Sequence, residues 1–163
     1  MNDPSIRVSR SDDLAAVDAL LARSYPKLLK ADYPPSVLVT ALPLILRAQP
    51  ALVASGTYYV AKLDGQIVGA GGWTHDRNRA GVAHIRHLVS DDRLLRRGIA
   101  RAILTHAIAV AKSEEVRVML CSSTRTAVPF YAALGFVAQG PAIMTLAQGI
   151  EFPIERMQLS LYG

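Results

Sequence analysis

The residues most able to do chemistry sit in one stretch, His84 to Lys112, HIRHLVSDDRLLRRGIARAILTHAIAVAK. It reads as a strand, an arginine-rich loop, a glycine and a helix. Arg96, Arg97 and Arg101 surround Gly98, where the helix begins. A helix start leaves backbone N–H groups without partners at the positive end of the dipole, so it can hold an anion. Gly98 has no Cβ to keep a phosphate away from the backbone. The alternative is a solvated arginine cluster ahead of an ordinary helix. Histidines at 84 and 87 open the stretch, and imidazole titrates near neutral pH. With His75 and His106 they show no ligand spacing such as HExxH, so no metal is expected. Cys121 is the only cysteine, which excludes an intrachain disulfide. It lies in an apolar run and reads as an inert strand residue.

The chain that positions these residues has 163 amino acids, 51% of them hydrophobic. That suits one domain over residues 1–163 and excludes a disordered protein. No apolar run approaches the roughly 18–20 residues of a membrane span. The N-terminal MNDPSIRVSRSDD lacks the apolar core of a signal peptide. A soluble cytoplasmic protein is expected. The net charge is +5, and 14 of the 18 basic residues are arginine. This favours anionic partners, but the basic residues are scattered, which argues against nucleic acid.

The elements follow from periodicity and punctuation. Ser5 to Ser9 alternates as a first strand. SDDLAAVDALLARSY is helical, with Ser11 as N-cap and Leu14, Val17 and Leu21 on one face; Pro26 ends or bends it. Lys27 to Pro35 reads as a loop, and a second helix is expected from about Pro35 to Ala48, disturbed by Pro43. Two apolar runs flank Asp64-Gly65, a type I′ hairpin signal. Gly69, Gly71 and Gly72 in the second run mark a bulge or a close backbone approach. Val82 to Ser90 is a strand. Strand alternation places His84, Arg86, Leu88 and Ser90 on one face and Ala83, Ile85, His87 and Val89 on the other, unless a bulge shifts His87. Ile99 to Lys112 carries an apolar stripe through Ile103, Leu104, Ala107 and Ala111. VRVMLCS is a buried strand, parallel to the one before through a right-handed crossover. Thr126 to Leu134 is a short helix capped by Thr124 or Thr126 and ended by Gly135. Strands starting at Phe136 and over IERMQLSLY close the chain. The order β-α-α-β-β-β-α-β-α-β-β defines an α/β fold: a mixed, twisted sheet with helices on both faces.

Two separated motifs resemble the GNAT superfamily of acyl-CoA-dependent N-acyltransferases. LRRGIA, Leu95 to Ala100, resembles its Gln/Arg-x-x-Gly-x-Gly/Ala loop. TRTAVPFYAALGF, Thr124 to Phe136, resembles its Asn-x-x-Ala-x-x-Phe-Tyr-x-x-x-Gly-Phe block. The element order matches over almost the whole chain. Leu95 replaces the usual Gln or Arg but keeps its amide, and Thr124 replaces Asn but keeps a hydroxyl for a polar contact.

The resemblance implies acetyl-CoA as co-substrate and no metal. It implies that amides from Arg96, Arg97, Gly98, Ile99, Ala100 and Arg101 surround the pyrophosphate, with Arg93, Arg96 or Arg97 screening other phosphates. Leu88, Val89 and Ser90 would pair with the pantetheine arm, and an N–H there would polarise the thioester carbonyl. Tyr131 falls on the family's general acid. His84 falls where many members carry a glutamate base, with His87 or a water-mediated route as alternatives. Tyr25, Tyr33 and Trp73 fall in the acceptor region or in the core. No acidic cluster marks a polyamine acceptor, and no basic cluster marks an acidic one. The expected reaction is direct acetyl transfer to a primary amine of a small molecule or peptide, in a ternary complex. The membrane plays no part, and a homodimer is compatible with the reading. The rival readings are a non-catalytic acyl-CoA sensor of the same fold and a basic nucleic-acid-binding protein.

Overall fold

Asp64 and Gly65 both adopt positive φ, 51° and 78°, as a two-residue type I′ turn requires. They join β2 (Tyr58–Leu63) to β3 (Gln66–His75) in an antiparallel hairpin. In the computed structural model, which describes residues 3–162, this hairpin lies near the middle of a seven-stranded sheet of order β1-β2-β3-β4-β5-β7-β6. The other strands are β1 (Ser5–Val8), β4 (Val82–Ser90), β5 (Val118–Ser123), β6 (Val137–Thr145) and β7 (Glu151–Ser160). Only β4 and β5 pair in parallel, connected through α4 (Ile99–Ser113) as the crossover rule expects.

On one face of the sheet, α1 (Leu14–Leu29) and α2 (Pro35–Ile45) bury Val17, Leu20, Leu21, Leu29 and Leu38. On the other, α4 and α5 (Val128–Ala133) bury Ile99, Ile103, Leu104 and Tyr131. Each fully buried Leu or Ile is worth about 1.5–3 kcal/mol, so these stripes hold both layers to the sheet.

Neither proline ends its helix. Pro26 and Pro43 lie inside α1 and α2. A proline removes the bond to the carbonyl four residues earlier. Those carbonyls belong to Ala22 and Val39, both exposed, where water satisfies them at little cost. The segment expected to be a loop from Lys27 is therefore helical to Leu29, held by buried Tyr25 and Leu29. The second helix stops at Ile45 rather than Ala48, and a short helix, α3 (Pro50–Val53), follows it. At the N-terminus Asp13, not Ser11, closes the first turn: its carboxylate accepts from the Arg10 N–H at 2.7 Å and from Arg7 at 2.8 Å.

The three glycines of β3 each admit a close neighbour. A Cβ at Gly69 would lie 2.5 Å from the Ile99 side chain, so its absence lets the start of α4 rest on the sheet. A Cβ at Gly71 would strike Leu88, and one at Gly72 would strike the Thr57 carbonyl. Register between β3 and β4 shifts between Ala70 and Gly72, and His87 opposite the shift has φ 50°. This is a β-bulge. It overturns the simple alternation. Leu88 now joins Ala83 and Ile85 against the α4 layer, and Val89 packs in the α1 layer. His87 bonds to α2 through the Ile45 carbonyl at 2.9 Å.

No helix among the described residues is long and apolar enough to cross a membrane.

Candidate active site

β4 and β5 pair only over Val82–Val118, Ala83–Met119 and His84–Leu120. Beyond that point the strands part, and the edge of β4 from Ile85 onward faces a cavity of about 480 Å³. Its walls come from the end of β4, the loop and first turn of α4, β5 and α5. The central strand is therefore not paired on both edges along its length.

Buried phenols fix the bulge that borders this opening. Tyr25 Oη donates to the Leu88 carbonyl at 3.1 Å, and Tyr58 Oη donates to the His87 carbonyl at 2.9 Å. Burial raises the pKa of both hydroxyls, so both remain donors. Two carbonyls of β4 are thereby committed, which sets the direction of the neighbouring amides.

The loop between β4 and α4 is anchored by Asp91. Its fully buried carboxylate accepts from Arg93 N at 2.9 Å, Arg93 Nη2 at 2.9 Å and Arg23 Nη2 at 2.9 Å. The arginine bonds, led by Arg93, hold its pKa down at about 2. Arg93 is thus committed within the chain rather than free to screen a ligand. Arg96 and Gly98 both adopt positive φ, 64° and 76°. Such left-handed turns bring successive N–H groups to one side. Among the described residues, the N–H groups of Gly98, Ile99, Ala100 and Arg101 have no backbone acceptor; the first bond of the helix is Ala102 N to Gly98 O at 2.9 Å. Nothing lies within 4 Å of the place a Gly98 Cβ would occupy. The residues present fit a pyrophosphate.

Of the residues assigned to acetyl-CoA from sequence, Leu88, Val89, Ser90, Leu95, Arg96, Gly98, Ile99, Ala100, Arg101, Thr124 and Tyr131 all line this one cavity. Arg97 is the exception. It lines a separate depression with Arg23, Asp91 and Arg93, so its side chain does not serve the cavity. Thr124 Oγ1 also accepts from Ala127 N at 3.2 Å, closing the turn that leads into α5, whose N-cap is Ala127.

Tyr131 is 5% exposed and stands against Cys121. Burial, then Cys121 and Tyr25, raise its pKa well above that of a free phenol, so the hydroxyl stays protonated. Burial pushes the Cys121 thiol up to about 12. A thiol held so far from its thiolate is a poor nucleophile.

A second cavity of about 820 Å³ opens on the α1–α2 side of the sheet. It shares Tyr25, Ile85, His87, Ser122 and Thr124 with the first, so the two meet where β4 leaves β5. His84 lines only the second cavity. Its Nε2 lies 2.7 Å from Asp76 Oδ2. Bonds from Arg79 and His84 hold the Asp76 pKa far down, so the carboxylate accepts and the ring nitrogen carries the proton. His87 is at the junction. Burial lowers its pKa, and its Nε2 donates to the Ile45 carbonyl, so the neutral ring keeps a lone pair on Nδ1. Tyr33 and Trp73 are core residues: Tyr33 is stacked on Phe152, and the Trp73 Nε1 donates to Tyr59. Of the three aromatics, Tyr25 lines both of these cavities and Tyr33 and Trp73 line neither. No cluster of His, Cys, Asp and Glu able to hold a metal occurs among the described residues.

A mixed sheet opened between two parallel strands, with a glycine-led helix start at the opening, defines the α/β fold of the acyl-CoA N-acyltransferases. The family model for an acetyltransferase (GNAT) domain matches residues 46–159, well over half of the chain. The chain belongs to the GNAT family. No sequence among the curated proteins matches it. Solved structures share the fold at low identity. A GCN5-related N-acetyltransferase from Rhodopseudomonas palustris superposes with a TM-score of 0.80 at 21% identity, covering 98% of this chain and 97% of that one. The PaiA N-acetyltransferase of Thermoplasma acidophilum, solved with coenzyme A, gives 0.70 at 12% identity, covering 98% and 99%. The putative acetyltransferase YncA of Salmonella typhimurium, solved with acetyl-CoA, gives 0.69 at 17% identity, covering 99% and 96%.

Proposed function

We propose that this chain is an N-acetyltransferase that moves an acetyl group from acetyl-CoA to a primary amine by direct transfer. The observation that carries the reading is the meeting of two cavities at the point where β4 and β5 part, with Tyr131 in the wall of one and His84 in the wall of the other. Acetyl-CoA supplies the acetyl group as a thioester. The amides of Gly98 to Arg101 bind its pyrophosphate, and the free edge of β4 at Leu88, Val89 and Ser90 pairs with its pantetheine arm. An amide of that edge, set by the phenol-held bulge, polarises the carbonyl.

An alkylamine is mostly protonated at neutral pH, so a base must take a proton. His84, oriented by Asp76, does so from the second cavity, directly or through water. The neutral amine nitrogen bonds to the carbonyl carbon, the carbon–sulfur bond breaks, Tyr131 gives its proton to the leaving sulfur, and the proton the nitrogen sheds on becoming an amide restores the Tyr131 hydroxyl, directly or through water. The inert Cys121 favours direct transfer over an acyl-enzyme.

The test is thiol release from acetyl-CoA across a panel of primary amines, alongside calorimetric acetyl-CoA affinity. Release with a sequential kinetic pattern is expected. Affinity without release would make the chain an acyl-CoA sensor. Salt-steep DNA binding without acetyl-CoA affinity would make it a nucleic-acid-binding protein.

A further inference from the structure

The second cavity is strongly biased in charge. Asp76 is the one acidic side chain lining it among the described residues. That carboxylate is already engaged by Arg79 at 2.9 Å and His84 at 2.7 Å. Arg77 and Arg86 line the same cavity, and neither makes an ion pair among the described residues. Arg86 Nε donates to Thr74 Oγ1 at 2.9 Å. That bond fixes the plane of the guanidinium and leaves its terminal nitrogens without an acceptor. Desolvation and repulsion from Arg77 act against the Arg86 charge, and attraction to Asp76 acts for it. Two unpaired guanidinium groups in one concavity are relieved by an anion. A planar carboxylate fits the fork of an arginine through two parallel bonds. Leu44, Leu52, Met144, Leu146 and Phe152 form an apolar stretch of the wall, and polar residues such as Gln49, Asn78 and Ser122 complete it. A polyamine would set a second ammonium against the two arginines.

We propose that the acceptor is an amine bearing a carboxylate and an apolar body, the carboxylate held by Arg86 with Arg77 beside it and the body packed against the Leu52–Phe152 wall. This rests on the acetyltransferase reading. It also reverses the sequence expectation that no basic cluster marks an acidic acceptor: the two arginines are separated along the chain, and the β3–β4 hairpin brings them together.

The experiment measures thiol release from acetyl-CoA with matched amines: leucine and leucinamide, phenylalanine and phenylalaninamide, γ-aminobutyrate and its amide. Amidation also changes amine basicity, so the deciding quantity is the carboxylate-to-amide ratio of kcat/KM in wild type against Arg86→Ala. The expected ratio exceeds about tenfold for at least one wild-type pair, collapses to within about twofold in Arg86→Ala through KM, and is partly kept in Arg86→Lys. Acetyl-CoA affinity by calorimetry stays at the wild-type value in these variants, which also reports that they fold; Arg77→Ala gives a second, smaller collapse of the same ratio. A wild-type protein that uses amides as well as carboxylates, an Arg86→Ala ratio equal to wild type, or acetyl-CoA binding with release from none of the six amines would each overturn the acceptor proposal alone. Absence of acetyl-CoA binding would overturn the reading beneath it.

Discussion

His84 Nε2 and Asp76 Oδ2 stand 2.7 Å apart in the wall of the second cavity. A carboxylate that fixes one ring nitrogen leaves the other free to take a proton, as in the histidine–aspartate pairs of hydrolases. His84→Ala is expected to lower kcat by about 10²-fold, the usual size of a general-base contribution, and to flatten the acid limb of the pH–rate profile. Asp76→Asn should lower kcat less, since the base stays and loses only its orientation. If His84→Ala and His87→Ala both keep the wild-type profile, neither histidine is the base.

Tyr131→Phe removes one oxygen from a side chain packed between Phe130 and Phe136. The ring still fills its place, so thermal stability should hardly move. Loss of the proton donor should reduce kcat by about 10²-fold with little change in acetyl-CoA affinity. Steady-state kinetics with an amine acceptor separate the two. Full turnover in the variant would remove Tyr131 from the mechanism.

At Gly98 the backbone has φ 76°, a region costing an ordinary L-residue about 1–2 kcal/mol. Gly98→Glu adds that strain and a negative charge where a phosphate would sit. Acetyl-CoA affinity should fall by more than about 100-fold, while the melting temperature drops by only a few degrees, about 2–4 °C per kcal/mol at this size. Unchanged calorimetric affinity would refute the pyrophosphate site.

Asp91 tests the anchor behind that site. Asp91→Ala leaves Arg23 and the Arg93 amide without their acceptor. Arg93 is largely exposed, so the cost is discounted from the roughly 3–5 kcal/mol of a broken buried pair toward that of an exposed one, to about 2 kcal/mol, or a melting-temperature loss of about 4–8 °C. A several-fold loss of acetyl-CoA affinity should accompany it. The sign with pH is definite. The folded-state pKa is depressed, so Asp91 stabilises the fold above the unfolded value of 3.8, and that contribution is lost as pH falls through about 2.

His87 acts at milder pH. Burial lowers its folded-state pKa below 6.5, against smaller opposing effects of the Ile45 bond and Asp18. Below about pH 6.5 the unfolded chain therefore binds more protons than the folded one, and stability falls as pH drops. Urea unfolding at pH 7.5 and pH 5.5 should show a larger loss in wild type than in His87→Gln. Equal losses would show that His87 is not held neutral by the fold.

The local signals in the sequence were faithful wherever neighbouring residues decide the outcome. The Asp64-Gly65 turn, the strand Val82–Ser90 and the α4 stripe all lie where the pattern puts them. So does the helix start at Gly98, because a glycine with positive φ at a helix start is a local device. Long-range partners were illegible. Nothing in the residues around Pro26 says that Tyr25 and Leu29 will be buried and carry the helix past it. Arg93 and Arg97 read like Arg96 until Asp91 claims the first and the loop turns the second away. The bulge at His87 depends on Leu88 meeting Gly71 across two strands, so alternation alone placed His87 on the wrong face. Arg77 and Arg86 become one feature only when β3 and β4 pair.

The shared wall of the two cavities has a consequence for selectivity. Tyr25, Ile85, His87, Ser122 and Thr124 bound both spaces, so under the proposed function no partition separates the end of the acyl chain from the head of the acceptor. Acyl length and acceptor bulk draw on the same volume. A longer acyl group would reach through the gap between β4 and β5 and occupy the place of the attacking amine. In this architecture a preference for a short acyl donor needs no dedicated ruler; it follows from the acceptor having to fit beside it.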